Sequence, residues 1–424
     1  MYMPTVTSLE TPVAASTQVD TSKPDWGQIA PVLLMAGLGF LVDVYDMVLF
    51  TLVRIPSLTE LGVPAKHILD TGIMLLNVQM VGMVVGGTLW GILGDKKGRR
   101  SVLFGSIAMY SITTLLCGFV TSIPMYAILR LLAGIGLAAE GGAAMVIAAE
   151  AMPAKYRGYG TGLIAALACL GMSLAGWINN FLAWRTMYIG AGLVGLLLLA
   201  LRMSMKETAI FTNSLQKQDI KRGSLKLLLS SRRRIATLFK CTFTGAPNWF
   251  LIGVLVAFAP EICHDTAHGA LINMGSIFIA YGIGETLGEI VCGAGSQLLR
   301  SRRKALALFM ACSFALTLVI LRCSAQMYTL LCLPLGIFGG FWGMTITTTS
   351  EQFGTNLRST GTTLGMNMLR ASIIGITTIF GYLATLFGAN TAALLTGLFW
   401  YGCAAIAIFF TQETFQKDLD FVET

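Results

Sequence analysis

Five carboxylates sit in stretches of this chain that are otherwise apolar: Asp43 and Asp46 in FLVDVYDMVLF, Glu140 in RLLAGIGLAAEGG, and Glu285 and Glu289 in YGIGETLGEIV. If charged and unpaired at the centre of a bilayer, each would cost roughly 2.5–3.5 kcal/mol, or about 12–18 kcal/mol for the set. That cost is too large to carry without protonation, a cationic partner or water, so these acids are expected to line an aqueous path. Their spacing groups them. Asp43 and Asp46 are three apart, Glu285 and Glu289 four apart, and each pair shares one helix face. Two arginines, Arg130 and Arg370, lie in similarly apolar stretches. Counted at about 1.5 Å per residue, Arg130 falls near the height of Asp46, and Arg370 lies about 18 Å from Arg358, a depth like that of Glu289. A carboxyl group that an arginine approaches and leaves can load and release a proton, and a guanidinium fork can hold an anion. Proton coupling is therefore assigned to Asp43, Asp46, Arg130 and Glu140. Arg370 is read either as an anion fork or as a counter-ion for Glu285 or Glu289. Asn248 and Trp249 after Pro247, with Tyr281, Trp342 and Asn367, are the further candidates for a substrate cavity, offering hydrogen bonds and aromatic walls.

The elements that must position these groups are legible in composition. A 424-residue chain that is 55% hydrophobic and 12% charged, with a mean hydropathy of +0.73, cannot hide its apolar surface in one soluble core; it reads as an all-α polytopic membrane protein. Hydropathy divides it into twelve apolar segments near 29–53, 70–94, 101–122, 124–149, 158–182, 185–203, 236–261, 270–298, 304–322, 326–350, 359–387 and 390–411. They form two six-helix bundles, 26–203 and 235–412, joined by a linker at 204–234. The tails are 1–25, read as disordered and without a signal peptide, and 413–424. An even count puts both termini on one side. The basic loops Lys96–Arg100, Arg232–Arg234 and Arg300–Lys304 all fall on that side, which the positive-inside rule makes the cytoplasm. The formal net charge of +8 is thus a topology signal, and no nucleic-acid partner is implied. The nine cysteines lack C-x-x-C spacing and read as small buried hydrophobes. EICHDTAH places His264 and His268 four apart, but no metal site is assigned to them.

Two motifs carry a resemblance. R-x-x-x-G-x-G at Arg130, Gly134 and Gly136, closing with E-x-x-P-x-x-x-R-G at Glu150, Pro153, Arg157 and Gly158, resembles the fourth helix of the major facilitator superfamily. GILGDKKGRR, Gly91 to Arg100, resembles the signature loop between that superfamily's second and third helices. Glu150 and Arg157 recur in the second half as Glu351 and Arg358, as expected of an internally duplicated transporter. The resemblance implies a cytoplasmic gate built from Gly91, Asp95, Gly98, Arg99, Arg100, Glu150, Arg157, Glu351 and Arg358. The acids of the first helix and Glu140 resemble positions in the sugar-porter, phosphate and organic-acid proton symporters. That likeness implies proton coupling at Asp43 first, with Asp46 behind it. Drug exporters of the superfamily carry a Gly-Pro signature in their fifth helix; here that helix, GLIAALACLGMSLAGWINN, has no proline. The expectation is a secondary active transporter of the inner membrane, a monomer with no cofactor beyond the coupling proton, taking up a small polar or anionic metabolite by symport. A proton-coupled exporter, a uniporter and a non-transporting nutrient sensor are the alternatives. No nucleophile elbow, phosphate loop or metal motif points to an enzyme.

Overall fold

The structure, a computed structural model, describes residues 26–97, 99–142, 144–145, 152, 157–204, 228, 230–266, 272–354 and 357–415; the side chains of 28, 91–92, 94–103, 157–159, 161, 204, 264–266 and 358–360 lie outside that description. The described chain is helical nearly throughout. Its helices are α1 (Trp26–Glu60), α2 (Ile68–Lys97), α3 (Arg99–Cys117), α4 (Ile123–Leu137), α5 (Arg157–Ile178), α6 (Trp184–Ser204) and α7 (Arg232–Phe250). After α7 a π-helical stretch, Leu251–Val256, leads into α8 (Ala259–Thr266). Then follow α9 (Met274–Leu298), α10 (Arg302–Ile320), α11 (Ala325–Gly339), α12 (Trp342–Gln352), α13 (Arg358–Phe387) and α14 (Ala389–Phe410). Among the described residues, nine helical stretches are long and apolar enough to cross a membrane, and shorter apolar helices run over Phe104–Cys117 and Gly162–Ile178. Helices are what lipid demands, since each satisfies its own backbone N–H and C=O groups. Large apolar side chains such as Leu34, Ile128, Leu197, Phe399 and Phe409 point outward and exposed, a surface that only a bilayer would cover.

In the first part of the chain α1 packs on α5, α2 on α4, and α3 on α4 and α6; in the second, α9 packs on α11, α7 on α13 and α14, and α10 on α11. The two sets meet along α5–α9 and α2–α13. Missing side chains set the closest approaches. A Cβ at Gly82 or Gly86 would overlap the carbonyl oxygens of Leu131 and Ile135, and one at Gly284 or Gly288 would overlap those of Leu333 and Ile337. The second set of four positions is displaced from the first by one constant interval, so α9–α11 repeats the backbone-to-backbone contact of α2–α4.

Two segments that read as continuous in the sequence are interrupted. Pro247, which has no N–H to donate, is followed by i→i+5 bonding, with Ala257 N–H donating to Ile252 O at 3.0 Å. The stretch 326–350 breaks at Gly340 and Phe341, between α11 and α12. At the second break Gly339 O accepts from Asn248 and Gly343 N–H donates to Glu289, and in the π-helical stretch Leu255 O accepts from the Tyr328 hydroxyl at 2.7 Å.

Near the helix ends rich in Lys and Arg, the segment after α14 is tied down by one carboxylate. Glu413 accepts hydrogen bonds from the Ser301 hydroxyl, from the N–H groups of Arg302 (2.9 Å) and Arg303 (3.3 Å) at the start of α10, and from Phe415 N–H (3.0 Å). Partial burial works against its charge, but these donors prevail and hold the carboxyl below its ordinary value. Because the folded group titrates below the unfolded value of 4.5, its contribution is present above that pH and is lost as pH falls further. Glu413→Gln is expected to lower the apparent unfolding temperature at pH 7 by about 1–2 °C. A thermal-shift series should show the gap from wild type narrowing below pH 4.5.

Candidate functional site

Helix α1 sends two acids inward, and they find different partners. Asp43 is fully buried and its Oδ2 accepts a hydrogen bond from Nη2 of Arg370 at 2.7 Å. Arg370 belongs to α13, so this ion pair joins the two parts of the chain. Asp46, one turn further on, accepts from the Thr114 hydroxyl of α3 at 2.7 Å and lies in the field of Arg130. Arg130 itself donates to Gln79 of α2 and packs against the rings of Phe50 (5.5 Å) and Tyr188 (5.9 Å). Glu140 is bound at 2.6 Å by Nη1 of Arg202 from α6, whose Nη2 also donates to Met35 O at 3.2 Å. Each first-half acid therefore has a guanidinium close by, and all three acids are at most 1% exposed.

Among the described residues, the second-half acids have no such cation in ion-pair contact. Glu285 Oε1 accepts from Asn248 Nδ2 at 2.9 Å, and the same amide donates to Gly339 O at 2.8 Å. Glu289 Oε1 accepts from the backbone N–H of Gly343 at 2.8 Å. That bond accounts for the break before α12: interrupting the helix frees N–H groups at a new N-terminus, where a carboxylate is favoured. Arg370 pairs with neither glutamate, although its depth in the sequence allowed it. The depth argument compared helices of the same half and could not register that α13 faces α1.

Between the two parts lies a small cavity lined by Asn248, Trp249, Glu285, Trp342 and Arg370 from one side and by Val44, Met47, Cys169 and Met172 from the other. Of the residues expected to bind substrate, five reach it. Glu289, Tyr281 and Asn367 do not line it; Asn367 instead donates to Ala138 O at 3.5 Å, bridging α13 to the end of α4. The space open to the centre of a water-sized sphere is about 20 Å³, room for about one water. Any organic ligand must therefore part these helices to enter.

Most of the expected gate lies outside the description. Gly98 and Glu150 fall on undescribed residues, and Gly91, Asp95, Arg99, Arg100, Arg157 and Arg358 are placed only as helical backbone. Glu351 is described, and its cation is Arg302 at 3.3 Å, with the Thr414 hydroxyl donating to its other oxygen at 2.6 Å. Of the histidine pair, the His264 side chain and all of His268 also fall outside; among the described residues no cluster of metal-ligating side chains occurs.

A charged cavity enclosed by apolar helices from both parts of a multi-pass chain is the arrangement a membrane transporter requires. A sequence model of the Major Facilitator Superfamily matches residues 33–378, and the chain belongs to that superfamily. It is 25% identical over 399 residues to a probable 4-methylmuconolactone transporter of Cupriavidus pinatubonensis, covering 89% of each chain. Two Acinetobacter baylyi proteins are also similar. The cis,cis-muconate transport protein is 24% identical, with 90% of this chain and 94% of that one covered. The benzoate transport protein is 21% identical, with 84% and 83% covered. Among solved structures, the proton:xylose symporter XylE bound to 6-bromo-6-deoxy-D-glucose superposes with a TM-score of 0.71 at 16% identity, over 93% of this chain and 98% of that one.

Sequence reasoning missed the partners that are not themselves conspicuous. Gln79 and Thr114 are uncharged polar residues in apolar helices, with Asn77, Ser111 and Thr113 nearby, and nothing in the sequence singles them out as the partners of Arg130 and Asp46. Arg202, near the end of α6 and next to the linker, turns back onto Glu140. At the end opposite the basic loops, Arg54 is 2% exposed and bound to Glu261 at 2.7 Å, with its guanidinium 4.7 Å from the Phe258 ring. This pair ties α1 to α8. Glu261→Gln leaves a buried guanidinium without its counter-charge and is expected to cost about 2–3 kcal/mol of stability. Exchanging the charges, Arg54→Glu with Glu261→Arg, should recover part of that loss in a thermal-shift assay.

Proposed function

We propose that this protein takes up a small organic anion, of the benzoate or muconate kind, together with a proton, by alternating access of two six-helix bundles about the cavity at Arg370. The observation that carries the reading is the Asp43–Arg370 pair. One guanidinium of the second bundle serves an acid of the first while lining the cavity between them. With Asp43 charged, the pair is neutral and Arg370 is taken. A proton on Asp43 releases Arg370, leaving one positive charge in a dry pocket that a carboxylate can neutralise. Proton and anion thus each favour the binding of the other, and that reciprocity is what couples their fluxes. Without either, the pair closes again and the unloaded protein can return.

The repeated α2–α4 and α9–α11 contacts support the two-bundle architecture, twelve spans in all, with bundles 26–203 and 235–412. The distribution of Lys and Arg supports cytoplasmic termini and an inner-membrane location, and the basic loops, with Glu351 and Arg302, form the inner gate. Asp46 with Arg130 and Glu140 with Arg202 continue the line of acids on either side of Asp43 and serve as further stations for the proton. The names of the relatives, transporters of muconate and benzoate, support an anionic substrate. The protein acts as a monomer.

The test is uptake in proteoliposomes. An inward proton gradient should drive labelled benzoate or cis,cis-muconate above its equilibrium level, and a protonophore should collapse the excess. Uptake that stops at equilibrium whatever the gradient rejects proton coupling.

A further inference from the structure

Asp43, Asp46 and Glu140 do not line the cavity; they lie behind its wall, among the helices of the first part of the chain. Each gives one oxygen to its partner and keeps the other: Oδ1 of Asp43, Oδ2 of Asp46 and Oε2 of Glu140 are buried with no hydrogen-bond partner among the described residues. One neighbouring group is equally unused. The hydroxyl of Tyr110, on α3 and 1% exposed, has no partner either. A buried hydroxyl without a bond is a cost that folding gives no reason to keep, since phenylalanine would fill the same space. Its position gives the reason. Thr114, which binds Asp46, is one turn along α3 from Tyr110 and on the same face. A Cβ at Gly136 of α4 would strike the backbone of Tyr110, and Glu140 follows four residues later. The edge of the tyrosine ring lies against Gly195 of α6, and Arg202, which holds Glu140, is two turns further on. Gly39 of α1 completes the enclosure: a Cβ there would strike both Glu140 and Arg202, and Asp43 is one turn away. Of the charged groups around the hydroxyl, Glu140 acts on it most strongly, then Asp43, Arg202 and Asp46. Tyr110 is thus set between Asp43 and Glu140, away from the cavity wall.

We infer that the Tyr110 hydroxyl relays the proton between Asp43 and Glu140, so that the proton crosses the interior of the first bundle by a route separate from the cavity that carries the anion. This rests on the reading above, in which Asp43 takes the coupling proton. In this structure Asp43 is held by Arg370, and the hydroxyl is bonded to neither acid. The relay closes when a protonated Asp43 is released from that arginine. A phenol is too weak an acid to hold a charge at neutral pH, so the two transfers are concerted. The Asp43 O–H breaks as its proton joins the Tyr110 oxygen, and the Tyr110 O–H breaks as that proton joins Glu140. Tyr110 is neutral before and after, and rotation about its C–O bond resets it. Asp43 is left as a carboxylate ready to retake Arg370. Glu140 is left neutral beside Arg202, which is 12% exposed near the end of α6.

The experiment compares the full-length wild type with Tyr110→Phe in proteoliposomes, using labelled benzoate or cis,cis-muconate. Uptake driven by an inward proton gradient should slow about a hundredfold, while exchange of labelled for unlabelled anion stays within about twofold of wild type, because exchange does not require the proton to leave. Binding of the same anions in nanodiscs should be unchanged. The variant should melt at or above the wild-type temperature, since removing a hydroxyl that has no bond strands no partner. Gradient-driven uptake equal to wild type overturns the inference. So does a parallel loss of uptake and exchange, a lower melting temperature or a failure to fold, each of which would mean that the hydroxyl holds structure. If the wild type itself does not accumulate the anion under the gradient, the coupling reading falls and takes this inference with it.

Discussion

Asp43→Asn protein, reconstituted in proteoliposomes, should exchange labelled for unlabelled substrate yet fail to accumulate it under an inward proton gradient. Asparagine keeps the shape of the side chain and one oxygen to accept from Arg370, so the contact between α1 and α13 survives in reduced form. What it cannot do is alternate between a charged state that occupies Arg370 and a neutral one that frees it. Arg370 then behaves as though Asp43 were permanently protonated: anions bind at any pH, and the unloaded protein returns with an uncompensated charge. The return step should slow steeply, while exchange, which never needs the unloaded form to return, continues. A stability cost accompanies the change. Removing the charged partner of a buried ion pair costs about 3–5 kcal/mol, less where a hydrogen bond is retained. Asp43→Asn combined with Arg370→Gln should regain most of that stability in a thermal-shift assay and regain no transport. Accumulation equal to wild type in the single variant would remove Asp43 from the coupling mechanism.

The fold class was legible because lipid imposes it: apolar segments of spanning length, basic loops at alternate connections and a repeated motif can each be read without knowing a single contact. The acids were legible for the same reason, since their cost in that setting requires a purpose. Which acid meets which arginine was not. Asp43 and Arg370 lie on helices from opposite halves, and their meeting depends on how α1 and α13 are rotated about their axes, a property that small residues such as Gly87 and Gly141 fix by admitting Asn367 and Met366 from α13. Glu289 shows the converse. Its four-residue spacing from Glu285 correctly placed both on one side of α9, but the break that gives Glu289 a backbone partner arises at Gly340, in another helix. A sequence shows a polar residue in an apolar helix. It does not show the interruption elsewhere that will satisfy it.

Those contacts also separate the two halves in kind. The first-half acids are matched with guanidinium groups from α4, α6 and α13, so each can hold its charge or give it up as its arginine moves. The second-half carboxyls are held by an amide and by backbone N–H groups, which do not supply a counter-charge. A site that moves protons on one wall and recognises a ligand on the other needs this asymmetry, with Arg370 as the group common to both.

Arg370→Lys should separate these two duties. Lysine keeps the positive charge, so Asp43 retains a counter-ion and the protein should fold with little loss, but the planar fork is gone. In the structure Nη2 of Arg370 serves Asp43 while Nε and Nη1 remain without partners, so once Asp43 lets go, Nη2 together with Nε or with Nη1 can give a carboxylate two parallel bonds. An ammonium group offers a point charge in their place. Losing one charge-assisted hydrogen bond of about 1.5–3 kcal/mol corresponds to a roughly ten- to hundredfold weaker Kd for benzoate. The neutral analogue benzamide, which cannot use the fork, should change far less. Proton dependence should survive in direction, because protonation of Asp43 still frees a cation for the ligand; raising the substrate concentration should restore gradient-driven uptake in Arg370→Lys and not in Asp43→Asn. Binding measured in nanodiscs separates the cases. If benzoate and benzamide weaken equally, Arg370 is positioning the bundle rather than reading the anion, and a Kd for benzoate that does not move would place the carboxylate elsewhere in the cavity.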